Sequence, residues 1–159
     1  MPVLKRKRSG RKYGEKRERG QSMVEFALVV PIFMLLIFAI IDFGMGFHAY
    51  LTVTNSAREG ARLGAVHPPL NVPSSPCYGK SSLNQCIVDR VRQTADSLDQ
   101  SALGVTVTNA GGASGTSVVV SVDYDYTLIT PLDNLIGLIS GGSVGPTLSF
   151  LSSADMRLE

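Results

Sequence analysis

The residues of clearest chemical interest are two carboxylates at the ends of an apolar run. Residues 26–41 read FALVVPIFMLLIFAII, sixteen consecutive apolar positions when Pro31 is counted. Glu25 comes directly before this run and Asp42 directly after it. A carboxylate near hydrocarbon costs on the order of 1–3 kcal/mol if it has no partner, so a specific contact is expected for each. The alternative for each is a charge at the membrane edge that makes no specific contact.

The other polar residues give little support to enzyme chemistry. His48 and His67 have no acid or nucleophile at a recognisable spacing. Asp123 and Asp125 would share one face of a strand and could hold Ca²⁺, but a solvent-facing strand is favoured. Residues 141–145 lack the strand before and helix after that a phosphate-binding loop requires, so they indicate a turn. We therefore expect no enzyme activity, no catalytic or metal-binding residues, no cofactor and no small-molecule substrate.

Two cysteines, Cys77 and Cys86, lie well beyond the apolar run. In an exported domain such a pair can close a disulfide, with a stabilisation of roughly 2–3 kcal/mol for a loop this short. The alternative is two free buried thiols. The disulfide is favoured if residues beyond the apolar run lie outside the cytoplasm.

Charge is distributed very unevenly along the chain. Residues 1–20 carry nine Lys or Arg against two Glu, a net +7, whereas the remainder carries six basic and eleven acidic residues, a net −5. A basic head on an acidic body indicates either membrane topology or a polyanion-binding tail. Cytoplasmic segments next to a membrane span are enriched in Lys and Arg, so the N-terminus is expected in the cytoplasm.

A helix is predicted to begin after the basic leader and to run over residues 21–66. Its transmembrane part would be about residues 23–46, since roughly 20 apolar residues cross a bilayer. Beyond it, the stripe of Val53, Ala57, Ala61 and residues 63–65 recurs at helical spacing and consists mainly of small residues. Such a stripe favours close packing against another helix. Arg58, Glu59 and Arg62 on the same helix indicate a solvated face or, alternatively, ion pairs with neighbouring subunits.

Residues 67–159 are predicted to form an extracytoplasmic α+β domain, with one or two helices on a short antiparallel sheet. After a Pro-rich loop over residues 67–81, apolar spacing predicts a helix over residues 82–100. Alternation then predicts strands near residues 104–108, 116–128 and 146–158, with a short helix over residues 131–140 before the last strand.

The junction between leader and helix carries the most specific pattern. An ordinary secretory signal is cleaved after its apolar region, whereas here a Gly-terminated basic leader precedes the run. The stretch RGQSMVEFALVVPIF at residues 19–33, IDFG at 41–44 and NSAREGARLGAV at 55–66 resembles the TadE/TadG-like pseudopilins of tight-adherence (Flp) pilus systems. The ending SSADMRLE at residues 152–159 also resembles these proteins, but more weakly.

This resemblance implies a minor pseudopilin, a structural or assembly component of a Flp pilus. It implies cleavage by a prepilin peptidase between Gly20 and Gln21, and pairing of Glu25 with the new α-amino group of Gln21. Asp42 would contact a Lys or Arg of another pseudopilin. The implied partners are other pilins, the pilus assembly platform, the peptidase and membrane lipid. The expected location is the inner or cytoplasmic membrane, with the C-terminal domain outside, and the surface pilus if the chain enters one.

Two other functions stay open on the sequence. One is a single-pass anchored binding or adhesion domain that never enters a filament, for which no cleavage at Gly20 is needed. The other is a binder of nucleic acid or anionic lipid that uses residues 5–19. A leader removed on maturation cannot be a working surface, so no nucleic-acid partner is expected. The first cysteine is Cys77, which excludes an N-terminal lipoprotein signal.

Overall fold

The structure is a computed structural model and describes residues 15–132, 134, 137, 141 and 147–158. Two helices and three strands follow in chain order, and their bounds are α1 Glu15–Val66, α2 Leu83–Thr94, β1 Leu103–Thr108, β2 Ser117–Thr127 and β3 Thr147–Arg157. Both helices pack on one three-stranded sheet, and the predicted α+β architecture is confirmed.

Helix α1 is a rod of 52 residues, about 78 Å long at 1.5 Å per residue. It begins at Glu15 rather than at residue 21, so the end of the predicted leader is helical and residues 1–14 lie outside the described part. The helix continues through Gly20 and through Pro31. Lys, Arg and Glu are good helix formers, which explains how the helix extends back into the charged segment.

The two halves of α1 differ sharply in burial. Residues 20–41 are exposed or at most half-buried. None of the most apolar stretch of the helix is buried inside the molecule. From Asp42 onward a stripe at helical spacing is buried against the rest of the chain, beginning with Asp42, Gly46, Ala49 and Val53. The packed half of the helix therefore starts at Asp42.

Glycines let the packed half of α1 lie close to its neighbours. A Cβ on Gly60 would come within 2.5 Å of Val91 Cγ2, and one on Gly64 within 3.1 Å of Ile87 Cδ1 and Val118 Cγ2. Both distances are shorter than ordinary van der Waals contact, so a side chain there would push α1 away from α2 and the sheet. Close packing by the small-residue stripe is thus confirmed, and its partners belong to this chain.

The sheet has the order β1-β2-β3, with both pairs antiparallel. Alternate residues of β2 face the helices and are buried, as the alternating sequence predicts: Val118, Val120, Val122, Tyr124 and Tyr126. The neighbouring positions face outward; residues 117, 119 and 121 are half-buried, and Asp123 and Asp125 are exposed. The last strand is anchored beyond its end, because Leu158 N donates to Thr116 O and Gly115 N donates to Leu158 O.

Helix α2 is shorter than predicted. It starts after Ser82, whose hydroxyl accepts from Gln85 N, and it ends at Thr94 instead of residue 100. The Gln100 side chain donates to the Ala95 carbonyl at 2.7 Å, which satisfies a carbonyl left open at the helix end and fixes the turn that follows. The apolar spacing predicts one face made of Leu83, Ile87, Val91, Ala95 and Leu98; Leu83 is half-buried and the other four are buried, so this face is confirmed. Most of the short helix predicted over residues 131–140 lies outside the described residues.

Candidate functional site

The N-terminal end of the described helix contains the three residues that the sequence assigns to processing and assembly. Gln21 Nε2 donates to Glu25 Oε1 at 3.0 Å, so the two side chains lie on one face, a single turn apart. Both are exposed. A Cβ built on Gly20 would meet nothing within 4 Å, so the backbone there is open on that side. The geometry brings Gly20, Gln21 and Glu25 together at the start of the apolar segment, and their roles stay predictions.

Asp42 is placed quite differently, because it is 4 % exposed and held by its own chain. Its Oδ1 accepts from Ile129 N at 3.1 Å and from Thr130 N at 3.3 Å, while Oδ2 accepts from the Thr130 hydroxyl. A carboxylate that takes several donors is well satisfied even when it is buried. We call these contacts the Asp42 clasp. It links the helix to the segment just after β2, across 87 and 88 residues of sequence.

The expected contact of Asp42 with a Lys or Arg of another pseudopilin stays a prediction, and within this chain the carboxylate has partners of its own. Both carboxylate oxygens are taken up inside the chain, and the side chain does not face outward. Thr130 was not singled out in the sequence. No motif marks Thr130, and the sequence indicates only that an acid at the end of an apolar run needs hydrogen-bond donors.

A tyrosine supports the clasp from the sheet. The Tyr126 hydroxyl donates to the Asp42 backbone carbonyl at a long 3.5 Å, and the Tyr126 side chain is buried. Burial raises the pKa of Tyr126, and the neighbouring Asp42 carboxylate raises it further. Tyr126 therefore stays a neutral hydrogen-bond donor.

Farther along α1, Glu59 joins the two helices. Its Oε1 accepts from Arg90 Nη2 at 2.8 Å on α2 and from Arg62 Nη2 at 2.9 Å on α1. Hydrogen bonds from Arg62 and then Arg90 lower the pKa of Glu59 from 4.5 to about 2. The solvated-face interpretation of these charges is thus wrong for Glu59, which is engaged by an arginine that the sequence did not single out. Arg62 and Arg58 are exposed as that interpretation expects.

The Pro-rich loop is tied to the start of α2. Cys77 and Cys86 form a disulfide with Cα atoms 5.4 Å apart, and both residues are buried. Lys80 Nζ also contacts Asp89 Oδ2 at 2.5 Å. These links fix the loop against the helix that packs on α1. The oxidised state in the exported protein stays a prediction that thiol labelling can test.

The remaining candidate residues do not assemble into a reactive centre in the described part of the chain. Asp125 Oδ1 accepts from Ser149 Oγ at 2.6 Å on the outer face of the sheet. His48 and His67 are exposed, and His67 ends α1 with a positive φ of 51°. Among the described residues no group of three or more His, Cys, Asp or Glu side chains is placed to hold a metal ion.

The division of α1 into an unpacked apolar half and a packed small-residue half coincides with a family match. Residues 20–62 match the family model of TadE-like proteins. The N-terminal helix is TadE-like. This finding confirms the resemblance and associates the chain with Tad pilus systems. No curated protein and no solved structure matches the chain.

The TadE-like segment contains every link just described on α1. It covers Gly20, Glu25, Asp42 and Glu59, and it ends at Arg62, four residues before the helix does. Among the described residues, the helix that contains this segment is long and apolar enough to cross a membrane, which fits a single-pass anchor.

Removal of the Asp42 carboxylate should loosen the segment after β2. In Asp42→Ala the Ile129 and Thr130 amides lose a charged acceptor, a contact of about 1.5–3 kcal/mol, so their hydrogen exchange should accelerate roughly 10–100-fold. Asp42→Asn keeps one acceptor oxygen and should give a smaller increase. Mass spectrometry of exchange in detergent-solubilised full-length protein measures both. Asp125→Ala, which removes an exposed carboxylate from β2, is the control. Unchanged exchange in Asp42→Ala would show that the clasp does not hold this segment.

Replacement of Glu59 by Gln should weaken the joint between α1 and α2 in a pH-dependent manner. The folded-state pKa of Glu59 is lowered, so the ionised carboxylate stabilises the fold fully above pH 4.5, and this contribution is lost as the pH falls towards about 2. Because the side chain is partly exposed, we expect a loss of about 1 kcal/mol at neutral pH.

Urea unfolding of full-length wild type and Glu59→Gln at several pH values tests this. The difference between the two proteins should be largest at neutral pH and disappear near pH 2. The control is Arg62→Gln, which leaves the Arg90 contact in place and should cost less. Equal losses in the two variants would assign the stabilisation to the pair within α1 rather than to the joint.

Proposed function

We propose that this chain is a minor pseudopilin, a structural component of a Tad-type pilus that is processed by a prepilin peptidase. The observation that carries the proposal is the change in α1 at Asp42. Before it, an apolar TadE-like helix leaves its side chains free of the chain's own core; after it, the same helix is the spine of a small domain. An apolar rod of this kind needs hydrocarbon or other helices around it.

The proposed topology follows from charge. The basic residues before Gly20 hold the N-terminus at the cytoplasmic face, and the α+β domain lies outside the cytoplasm. The disulfide between Cys77 and Cys86 supports that placement, because such bonds persist in oxidising compartments. The role is structural rather than enzymatic, and the proposed partners are other pilins, the assembly platform and membrane lipid.

Cleavage after Gly20 is proposed to release residues 1–20. Gly20 has no side chain, so a peptidase can approach its backbone, and glycine is the residue type that most readily leaves a helix apart from proline. The new amino group of Gln21 would then lie one turn from Glu25, at the place where the Gln21 side chain now donates. Glu25 can neutralise that amine on its own chain or on a neighbour's.

The mature membrane form should begin at Gln21. Expressed with an active prepilin peptidase, the wild-type protein should show a mass lower by residues 1–20, and Gly20→Val should stay uncleaved because a branched side chain obstructs the scissile bond. Gly44→Val is the matched control, since it places the same side chain on the same helix where a Cβ also meets nothing within 4 Å. An intact N-terminus in the wild-type protein would instead favour a plain membrane-anchored binding or adhesion domain.

Glu25→Gln should insert, be cleaved and keep its folded domain, yet recruit other pilins poorly. The substitution keeps the shape and removes the charge that pairs with the Gln21 amine. Cross-linking yield to pilus components, at matched membrane levels, is expected to fall at least several-fold, whereas Asp125→Asn should behave as wild type. Equal yields would make Glu25 a charge at headgroup level only, and loss of cleavage would place its role in peptidase recognition.

A further inference from the structure

A groove runs between α1 and the membrane-proximal ends of β2 and β3. Its volume is about 520 Å³. One wall consists of α1 residues, the other of residues at the strand ends, and the members are Ala39, Asp42, Phe43, Gly46, Phe47, Tyr50, Leu128, Leu132, Leu148 and Phe150. All of them except Asp42 and the Tyr50 hydroxyl are apolar, and we call the feature the boundary groove.

The one carboxylate in the groove wall already accepts hydrogen bonds from its own chain. Asp42 gives both carboxylate oxygens to the clasp with Ile129 and Thr130. Among the lining residues no other ionisable group except Tyr50 is present. The boundary groove therefore offers apolar contact and no site for a charged ligand.

The clasp also fixes the level of the groove along α1. From Met23 to Asp42 the helix rises about 29 Å, which matches the roughly 30 Å of a hydrocarbon core. Ile129 N and Thr130 N lie within 3.1 Å and 3.3 Å of Asp42 Oδ1, so the end of the sheet stands at that same level. The groove starts at Ala39, one turn inside this boundary.

The rim of the groove exposes large apolar side chains. Phe43 is 76 % exposed, Ile129 64 % and Leu148 51 %. Phe43 also stacks on Phe47, with ring centroids 6.3 Å apart. A contiguous apolar patch that adjoins a membrane span marks a surface that contacts lipid or another protein.

The length and lining of the groove suit a lipid chain. From Ala39 to Tyr50 it extends about 16 Å along α1, a length that one acyl chain can fill. A single acyl chain requires only narrow apolar walls. The walls are also continuous with the exposed apolar surface of residues 20–41.

We propose that the sheet end of the domain enters the outer lipid leaflet and that an acyl chain of a membrane lipid occupies the boundary groove. The inference rests on the proposed membrane anchoring of α1. The domain would then contact the membrane at two places, through the span and through the ends of β2 and β3, and would stand in a fixed orientation on the bilayer.

The test uses cysteine variants of the full-length chain, labelled with an environment-sensitive nitrobenzoxadiazole dye. Because Cys77 and Cys86 are bonded to each other, labelling without reductant reports on the added thiol alone. Leu35→Cys reports on the span and Leu148→Cys on the groove. Leu151→Cys is the matched control, as the same residue type on the same strand, 72 % exposed and farther from the boundary. Each protein is reconstituted in phosphatidylcholine–phosphatidylglycerol vesicles with or without acyl-brominated phosphatidylcholine.

Dye at positions 35 and 148 should be quenched by brominated acyl chains at least threefold more than dye at 151, and aqueous iodide should show the reverse order. If position 35 is not quenched by brominated lipid, the anchoring itself is wrong. If position 35 is quenched but 148 behaves like 151, only the groove proposal fails. Protection of position 148 from both quenchers would mean that polypeptide covers the groove, which also overturns the proposal. Ile129→Cys repeats the measurement on the other side of the clasp.

Discussion

The buried carboxylate of Asp42 is the contact on which the arrangement of this molecule depends. It lies where α1 changes from an unpacked apolar rod to the spine of a domain, and it receives two backbone amides and one hydroxyl from the segment after β2. Without that acceptor, two backbone N–H groups would lose hydrogen bonds to a carboxylate, which are worth about 1.5–3 kcal/mol each. The clasp thus satisfies the acid and the strand end together.

Other contacts, farther along α1 than Asp42, also join this helix to later parts of the chain. Glu59 binds Arg90 of α2, and the absence of side chains at Gly60 and Gly64 brings Val91, Ile87 and Val118 against the helix backbone. Each contact ties the TadE-like helix to an element much later in the chain. The part of the chain beyond the TadE-like match is therefore held by the helix that carries the match.

Much of the fold followed from the sequence because its determinants are local. Period-two alternation predicted β2 and its inward face, and the 3.6-residue spacing predicted the buried face of α2. The end of α2 was placed too late, since the residue that stops it, Gln100, acts through a side-chain hydrogen bond to Ala95 that no periodicity reveals. The start of α1 was also placed too late, because the Lys, Arg and Glu residues at the end of the basic leader are good helix formers.

The site was harder to predict than the fold, and the reason is sequence separation. That Asp42 needs a partner could be predicted from its place at the end of an apolar run, but the donors lie 87 and 88 residues away and have no motif of their own. The hypothesis from the sequence placed the partner in another subunit, whereas within this chain the segment after β2 lies beside Asp42 and supplies donors of its own. Glu59 and Arg90 show the same limitation across 31 residues.

A domain clasped directly to its span behaves differently from one carried on a flexible linker. Helix α1 passes from the apolar segment into the domain without a break, and the clasp prevents the sheet from rotating away from the helix at the point where the two meet. Any change at the N-terminus that tilts or moves the helix, such as removal of residues 1–20 or pairing of Glu25 with a neighbour, must then move the domain as one body. In a filament subunit with this rigidity, a contact made by the helix inside the membrane determines where the surface of the domain lies outside it.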